Sequence, residues 1–201
     1  MKLIWKGKMT ADNLFVAKDV PEDAKLLSSE KNTWLTYLLI VPILAIAYAG
    51  IVIRRPCVEG IAFNKVALYI GVGLSLVFLI VHELIHALCC PKGTTVYVYF
   101  TYAGISCVPT CSLKKSRYIL IALMPTVLLG IVPFVAWLCF PGLNVNLSSV
   151  LFAFSIGSLS MCVGDIYNAI LATVKMKRNS VLVTSETSIY YYDTPLSQKI
   201  E

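Results

Sequence analysis

Residues 66–90 read VALYIGVGLSLVFLIVHELIHALCC, an almost unbroken apolar run whose final third holds His82, Glu83 and His86. About 20 apolar residues in a helix, rising 1.5 Å each, cross the hydrocarbon core of a bilayer. The run therefore reads as a transmembrane helix that carries two imidazoles and a carboxylate into an apolar layer. A charged side chain at mid-bilayer costs about 2.5–3.5 kcal/mol on insertion scales, so this trio needs a reason to be there.

Working outward, three more runs of similar length are apolar: Trp34–Ile53, Tyr118–Phe140 and Leu147–Val174. The whole chain is 58% hydrophobic and 14% charged, against roughly 25% charged in soluble domains. Its mean hydropathy is +0.77. These values exclude an ordinary soluble globule. The expected fold is an all-α integral membrane protein of about four transmembrane helices. It divides into a cytosolic N-terminal segment (1–32), a transmembrane domain (33–175) and a cytosolic tail (176–201). No signal-peptide pattern opens the sequence, so insertion is expected to rely on the internal spans. The seven cysteines are scattered and odd in number, which suits small apolar fillers better than a disulfide framework.

Charge sets an orientation. Four spans put the N-terminal segment, the 91–117 loop and the tail on one side, with 14 of the 17 Lys and Arg; Arg54, Arg55 and Lys65 lie opposite. The positive-inside rule assigns the richer side to the cytosol, giving a multi-pass cell-membrane protein with both termini inside. In the 91–117 loop, Val96, Val98 and Phe100 alternate with Tyr97, Tyr99 and Thr101, the period of a β-strand. Ala103-Gly104 would turn this strand into a second one, Ile105–Val108, so that the loop holds a small β-hairpin or strand; the alternative is an interfacial loop with aromatic anchors. In the N-terminal segment, Lys2–Lys8 suits a short strand, and Val20–Ala24 reads as a turn opening a helical stretch.

His82-Glu83-Leu84-Ile85-His86 contains both histidines of the chain. On a helix, positions i and i+4 lie about 40° apart and one turn along, so both rings point the same way. That spacing suits two nitrogens on one Zn²⁺, with Glu83 placed to take a proton from a water the metal polarises. A catalytic zinc needs a third protein ligand. Of the 11 acidic residues, only Glu83 and Asp165 fall in the apolar runs. Asp165 is the expected third ligand by elimination and by depth. It lies about 13 Å from the inner end of its span, where the histidines lie about 6–12 Å from theirs. Cys162, one turn earlier, is the rival as a soft ligand, and Cys89 a remoter one. Ser158, Cys162 and Ala169 share a helical face that would let the fourth span approach the second. Asn168, at the edge of that face, could orient Asp165 or hold a substrate carbonyl, with simple packing the role to be expected first. Met124-Pro125 interrupts the third span, and a proline there frees a carbonyl and can bend the helix toward a cavity.

Together, the HELIH motif on a membrane helix, the β-like loop, Met124-Pro125 and Gly164-Asp165 resemble the putative zincin peptidase family of small bacterial membrane proteins. That family is distantly similar to the site-2 proteases, which are intramembrane zinc metalloproteases. The resemblance covers most of residues 60–175. Where site-2 proteases usually carry Asn-Pro-Asp-Gly, this chain has Val163-Gly164-Asp165-Ile166. The resemblance implies His82, His86 and Asp165 as Zn²⁺ ligands, Glu83 as catalytic base, and cleavage of an unwound substrate helix near the cytosolic face. The leading expectation is a membrane-embedded zinc metallopeptidase, with a membrane protein or membrane-associated peptide as substrate, the lipid bilayer as surroundings and no nucleic-acid partner. The alternative is a non-catalytic metal-binding membrane regulator or assembly factor. A small transporter fits less well, because polar residues form one cluster and no path through the other spans.

Overall fold

Among the described residues of the computed structural model, three helices are long and apolar enough to cross a membrane: Thr36–Arg54, Lys65–Leu88 and Lys115–Cys139. A fourth candidate consists of two helices bent by 49° at their junction, Val145–Met161 and Val163–Lys175. The structure describes residues 1–17, 20–29, 36–55, 62–101 and 104–193. Trp34, Cys57 and Ala103, which the sequence reading uses, lie outside them.

The chain divides into two units, one formed by Trp34–His82 and Pro125–Gly164, the other by Met1–Thr33, Glu83–Met124 and Asp165–Glu201. The first is helical: α1 (Ile40–Arg54), α2 (Lys65–Val77), the opening of α3 (Leu79–Leu88), the π-helical turn Thr126–Ile131, α5 (Val132–Cys139) and α6 (Val145–Met161). Asn64 caps α2 by accepting from the Ala67 N–H, and Asn144 caps α6 by accepting from that of Leu147. The burial pattern is inverted relative to a soluble bundle. Val41, Tyr48, Ile53, Tyr69 and Val77 are exposed, whereas Ser75, Ser148, Ser149, Ser155 and Ser158 are buried. Ser75, Ser149 and Ser155 donate to carbonyls three or four residues back, which satisfies their hydroxyls without water. Small residues let α2 and α6 touch. A Cβ on Gly71 would sit 2.5 Å from the carbonyl oxygen of Val150, and one on Gly157 at the same distance from Ser75 Oγ. Arg54, read from the sequence as a flanking charge, is buried instead. It donates to Ser148 Oγ at 3.0 Å and to the carbonyls of Phe140 and Pro141, with its guanidinium over the Trp137 ring. This satisfies carbonyls past the end of α5 with a cation, the favourable sign at a helix C-terminus.

The expected helices form, but the fold is not all-α with one small hairpin or strand. Among the described residues the second unit contains seven strands in two sheets beside α4 (Lys115–Pro125), most of α3 and most of α7 (Val163–Lys175). In the first sheet β1 (Lys2–Lys8) runs parallel to β3 (Thr95–Thr101), and β3 pairs antiparallel with β4 (Gly104–Pro109). The alternating loop is thus a hairpin, and Lys2–Lys8 is a strand, as the pattern indicates. The second sheet is ordered β2-β7-β6-β5: β2 (Lys25–Ser29), β7 (Ser188–Asp193), β6 (Ser180–Ser185) and β5 (Leu113–Lys114).

Two further expectations are corrected. The turn at Glu22-Asp23 forms, closed by the Ala24 N–H on the Pro21 carbonyl, but it opens strand β2 and no helix. Pairing with β7 and burial of Leu27 against Ala172, Met176 and Leu182 override local propensity there. The fourth span is broken as well. At Cys162 the N–H is shared between the Ser158 and Leu159 carbonyls and ψ falls to 3°, so α6 stops and α7 starts anew. The small-residue face drawn through Ser158, Cys162 and Ala169 therefore does not run along one helix.

Candidate metal centre

The HELIH segment is helical, in α3, so its histidines stand one turn apart as the spacing requires. Three further elements of the second unit surround Glu83 and His86: the end of α4, the start of α7 and strand β4. The His86 ring is fixed from behind, with Nδ1 2.9 Å from the carbonyl oxygen of Ile121. That carbonyl is available for a sequence reason. In an α-helix it would accept the N–H of residue 125, which is proline and has none. The proline-freed carbonyl thus orients the histidine. A backbone carbonyl on Nδ1–H is the usual partner that fixes the tautomer and turns Nε2 toward a metal.

His86 Nε2 lies 3.4 Å from Asp165 Oδ2. A charge-assisted hydrogen bond would be about 2.7–2.9 Å. Two ligand atoms on a tetrahedral zinc with bonds of about 2.0–2.1 Å stand about 3.3–3.4 Å apart. The observed separation matches the length of such a tetrahedral edge. His82 is fixed relative to His86 by the helix they share, and the donor atoms of His82, His86 and Asp165 all lie within 4.8 Å of one another. Two neutral imidazoles and one carboxylate form a donor set that zinc takes at catalytic sites, leaving a fourth position open. The residues fit the ion.

Cys162 is fully buried, with Sγ 3.6 Å from His82 Nδ1. It contacts the histidine and is not a member of the three-donor group. Glu83 has its own support: Oε2 accepts the Cys107 backbone N–H of β4 at 2.9 Å. The carboxylate is therefore held to an outer edge of the three-stranded sheet. Burial, with the Glu83 carboxylate beside it, pushes the Cys107 thiol up to about 12.

Glu83, His86 and Asp165 line a cavity of about 270 Å³ within the second unit. Asn168 lines it too, and its buried Oδ1 has no hydrogen-bond partner among the described residues, so it can accept an N–H from a bound molecule. The sequence reading named Asn168 but missed Tyr118, Glu186 and Thr187, which also line the cavity. Tyr118 looks in sequence like the aromatic start of a span. The other two lie in a tail with no motif.

Pro125→Ala tests how the ring is held. An alanine N–H would compete for the Ile121 carbonyl, so zinc affinity should fall about tenfold while the helix gains regularity. Titration against a chromophoric chelator measures this, and unchanged affinity would show that the freed carbonyl does not orient the ring.

Residues 75–181 match a family model described as "Putative zincin peptidase". No curated protein and no solved structure matches the chain.

Proposed function

The chain belongs to the putative zincin peptidase family, and from that premise we propose that it is a membrane-embedded zinc metallopeptidase acting on membrane-associated polypeptides. The observation that carries the reading is the His86–Asp165 separation of 3.4 Å, the edge of a tetrahedral zinc site, beside a cavity that Glu83 also lines. His82, His86 and Asp165 are the ligands, and Glu83 is the general base. When bound, Zn²⁺ polarises the scissile carbonyl and makes water acidic enough to attack near neutral pH. Glu83 takes the proton of the attacking water and returns it to the leaving amine, while the Cys107 N–H keeps the carboxylate aimed. Asn168 Oδ1 accepts a substrate N–H. Strand β4 ends its sheet in the order β1-β3-β4, so an extended substrate can lie along that edge, presented by backbone rather than sequence.

A quenched-fluorescent peptide library incubated with the detergent-solubilised protein tests the activity. Chelation should abolish cleavage and added Zn²⁺ should restore it. Full activity in a metal-free preparation would refute the reading.

The orientation with both termini cytosolic draws support from strand pairing. β1 with β3, β2 with β7 and β5 with β6 join the N-terminal segment, the 91–117 loop and the tail, the three segments rich in Lys and Arg. Residues hydrogen-bonded in one sheet share a side of the membrane. In single-cysteine variants, Cys57 should react with an impermeant thiol reagent added outside, and Cys111 only after permeabilisation. Cys107 is a poor reporter, because a thiol of pKa about 12 stays protonated at neutral pH. The reverse labelling pattern would invert the orientation.

A further inference from the structure

The hairpin β6–β7 brings a charge to the cavity for which the mechanism has no use. Ser185 pairs with Ser188, which leaves Glu186 and Thr187 as a two-residue turn, and both line the cavity. Glu186 is exposed and adopts φ +54°, a left-handed conformation that favours Gly, Asn or Asp. The turn is tethered. The Glu186 N–H donates to the Phe15 carbonyl at 2.7 Å, and Ser185 Oγ accepts the Ala17 N–H at 3.2 Å. Phe15 in turn sits edge-on to Tyr97 of β3.

Among the described residues, the cavity lining contains three carboxylates, Glu83, Asp165 and Glu186, and no lysine or arginine. Asp165 stands against His86 and Glu83 against the Cys107 N–H. Glu186 is the remaining anion of the lining. A turn needing only solubility would use Asn or Gly at this φ without strain, so a longer carboxylate at a strained position points to a requirement for the side chain.

We propose that Glu186 is a specificity residue whose carboxylate selects a substrate carrying a lysine or arginine side chain near the bond to be cut. This rests on reading the cavity as a peptide site. The charge is exposed at the wall of the cavity, and an exposed partner of this kind adds a few-fold in affinity, acts partly through association rate and weakens with salt.

The test uses the full-length Glu83→Gln protein in detergent with zinc, so that binding is read without turnover. Fluorescently labelled ten-residue peptides of Ala, Gly and Ser, with one lysine moved along the chain, are titrated by anisotropy. One lysine position should improve affinity about three- to fivefold over the lysine-free peptide. The gain should shrink as salt rises from about 0.05 to about 0.5 M. Adding Glu186→Gly should erase it with no loss of thermal stability, since glycine accepts this φ, and adding Glu186→Lys should transfer the preference to a peptide carrying glutamate. A lysine gain that survives Glu186→Gly, or no lysine gain at any position, overturns the proposal. If wild-type protein fails to cleave the favoured peptide but the Glu186-dependent preference holds, the peptidase reading fails and the specificity assignment stands.

Discussion

Glu83→Gln protein should bind zinc as wild type does and lose hydrolysis by a factor of about 10²–10⁴ or more. Glutamine keeps the shape and still accepts the Cys107 N–H through its amide oxygen. It cannot take a proton from water. Zinc content by metal analysis and turnover of a quenched peptide, measured on one preparation, separate the two effects. This also decides between an enzyme and a metal-binding regulator, because a regulator would show no difference between the variants in any turnover assay. Parallel loss of zinc and activity would instead make Glu83 a ligand and leave the chain without its base.

Asp165→Ala should lose activity and weaken zinc binding by at least about 100-fold, because it removes one of the three proposed ligands. Asp165→Asn should lose activity with the fold retained, since a neutral amide is a poorer ligand. Cys162→Ser should keep near-normal zinc content. Its sulfur sits 3.6 Å from His82 Nδ1, where a hydroxyl can also hydrogen-bond. If Cys162→Ser strips the metal and Asp165→Ala keeps it, the site is a His, His, Cys arrangement and the bend at Cys162 must be read as a ligand position.

The grouping of His82, His86 and Asp165 was legible because it rests on local periodicity and on scarcity. Two histidines in a single helical motif and one other acid in the apolar runs leave few combinations. The β3–β4 hairpin was legible because the sequence alternates, although burial does not follow the alternation: Val96 and Tyr99, on opposite faces of β3, are both buried and Phe100 is exposed. β6–β7 was not. Val181, Leu182 and Val183 are buried in succession, which erases the alternation, and the turn Ser185-Glu186-Thr187-Ser188 contains no Gly, Pro, Asn or Asp. β2 was misread because its partner β7 lies far along the chain, and a local window cannot show a pairing between Lys25 and Tyr191. The role of Pro125 was half visible. Proline announces a freed carbonyl, but that the recipient is His86 depends on tertiary structure.

The sheet built from β2, β7, β6 and β5 has a consequence for biosynthesis. Its outer strand, residues 25–29, leaves the ribosome long before its partner at 188–193. At about 5–20 residues per second the wait is roughly 10–30 s. During that interval β2 exposes an unsatisfied edge and Leu27 lacks the surroundings of Met176 and Leu182. The same delay applies to the three-donor group: Asp165 joins His82 and His86 only when most of the chain has been made. A nascent chain therefore completes its first helices before the three-donor group exists, and the cavity gains its Glu186–Thr187 side only after the last hairpin closes.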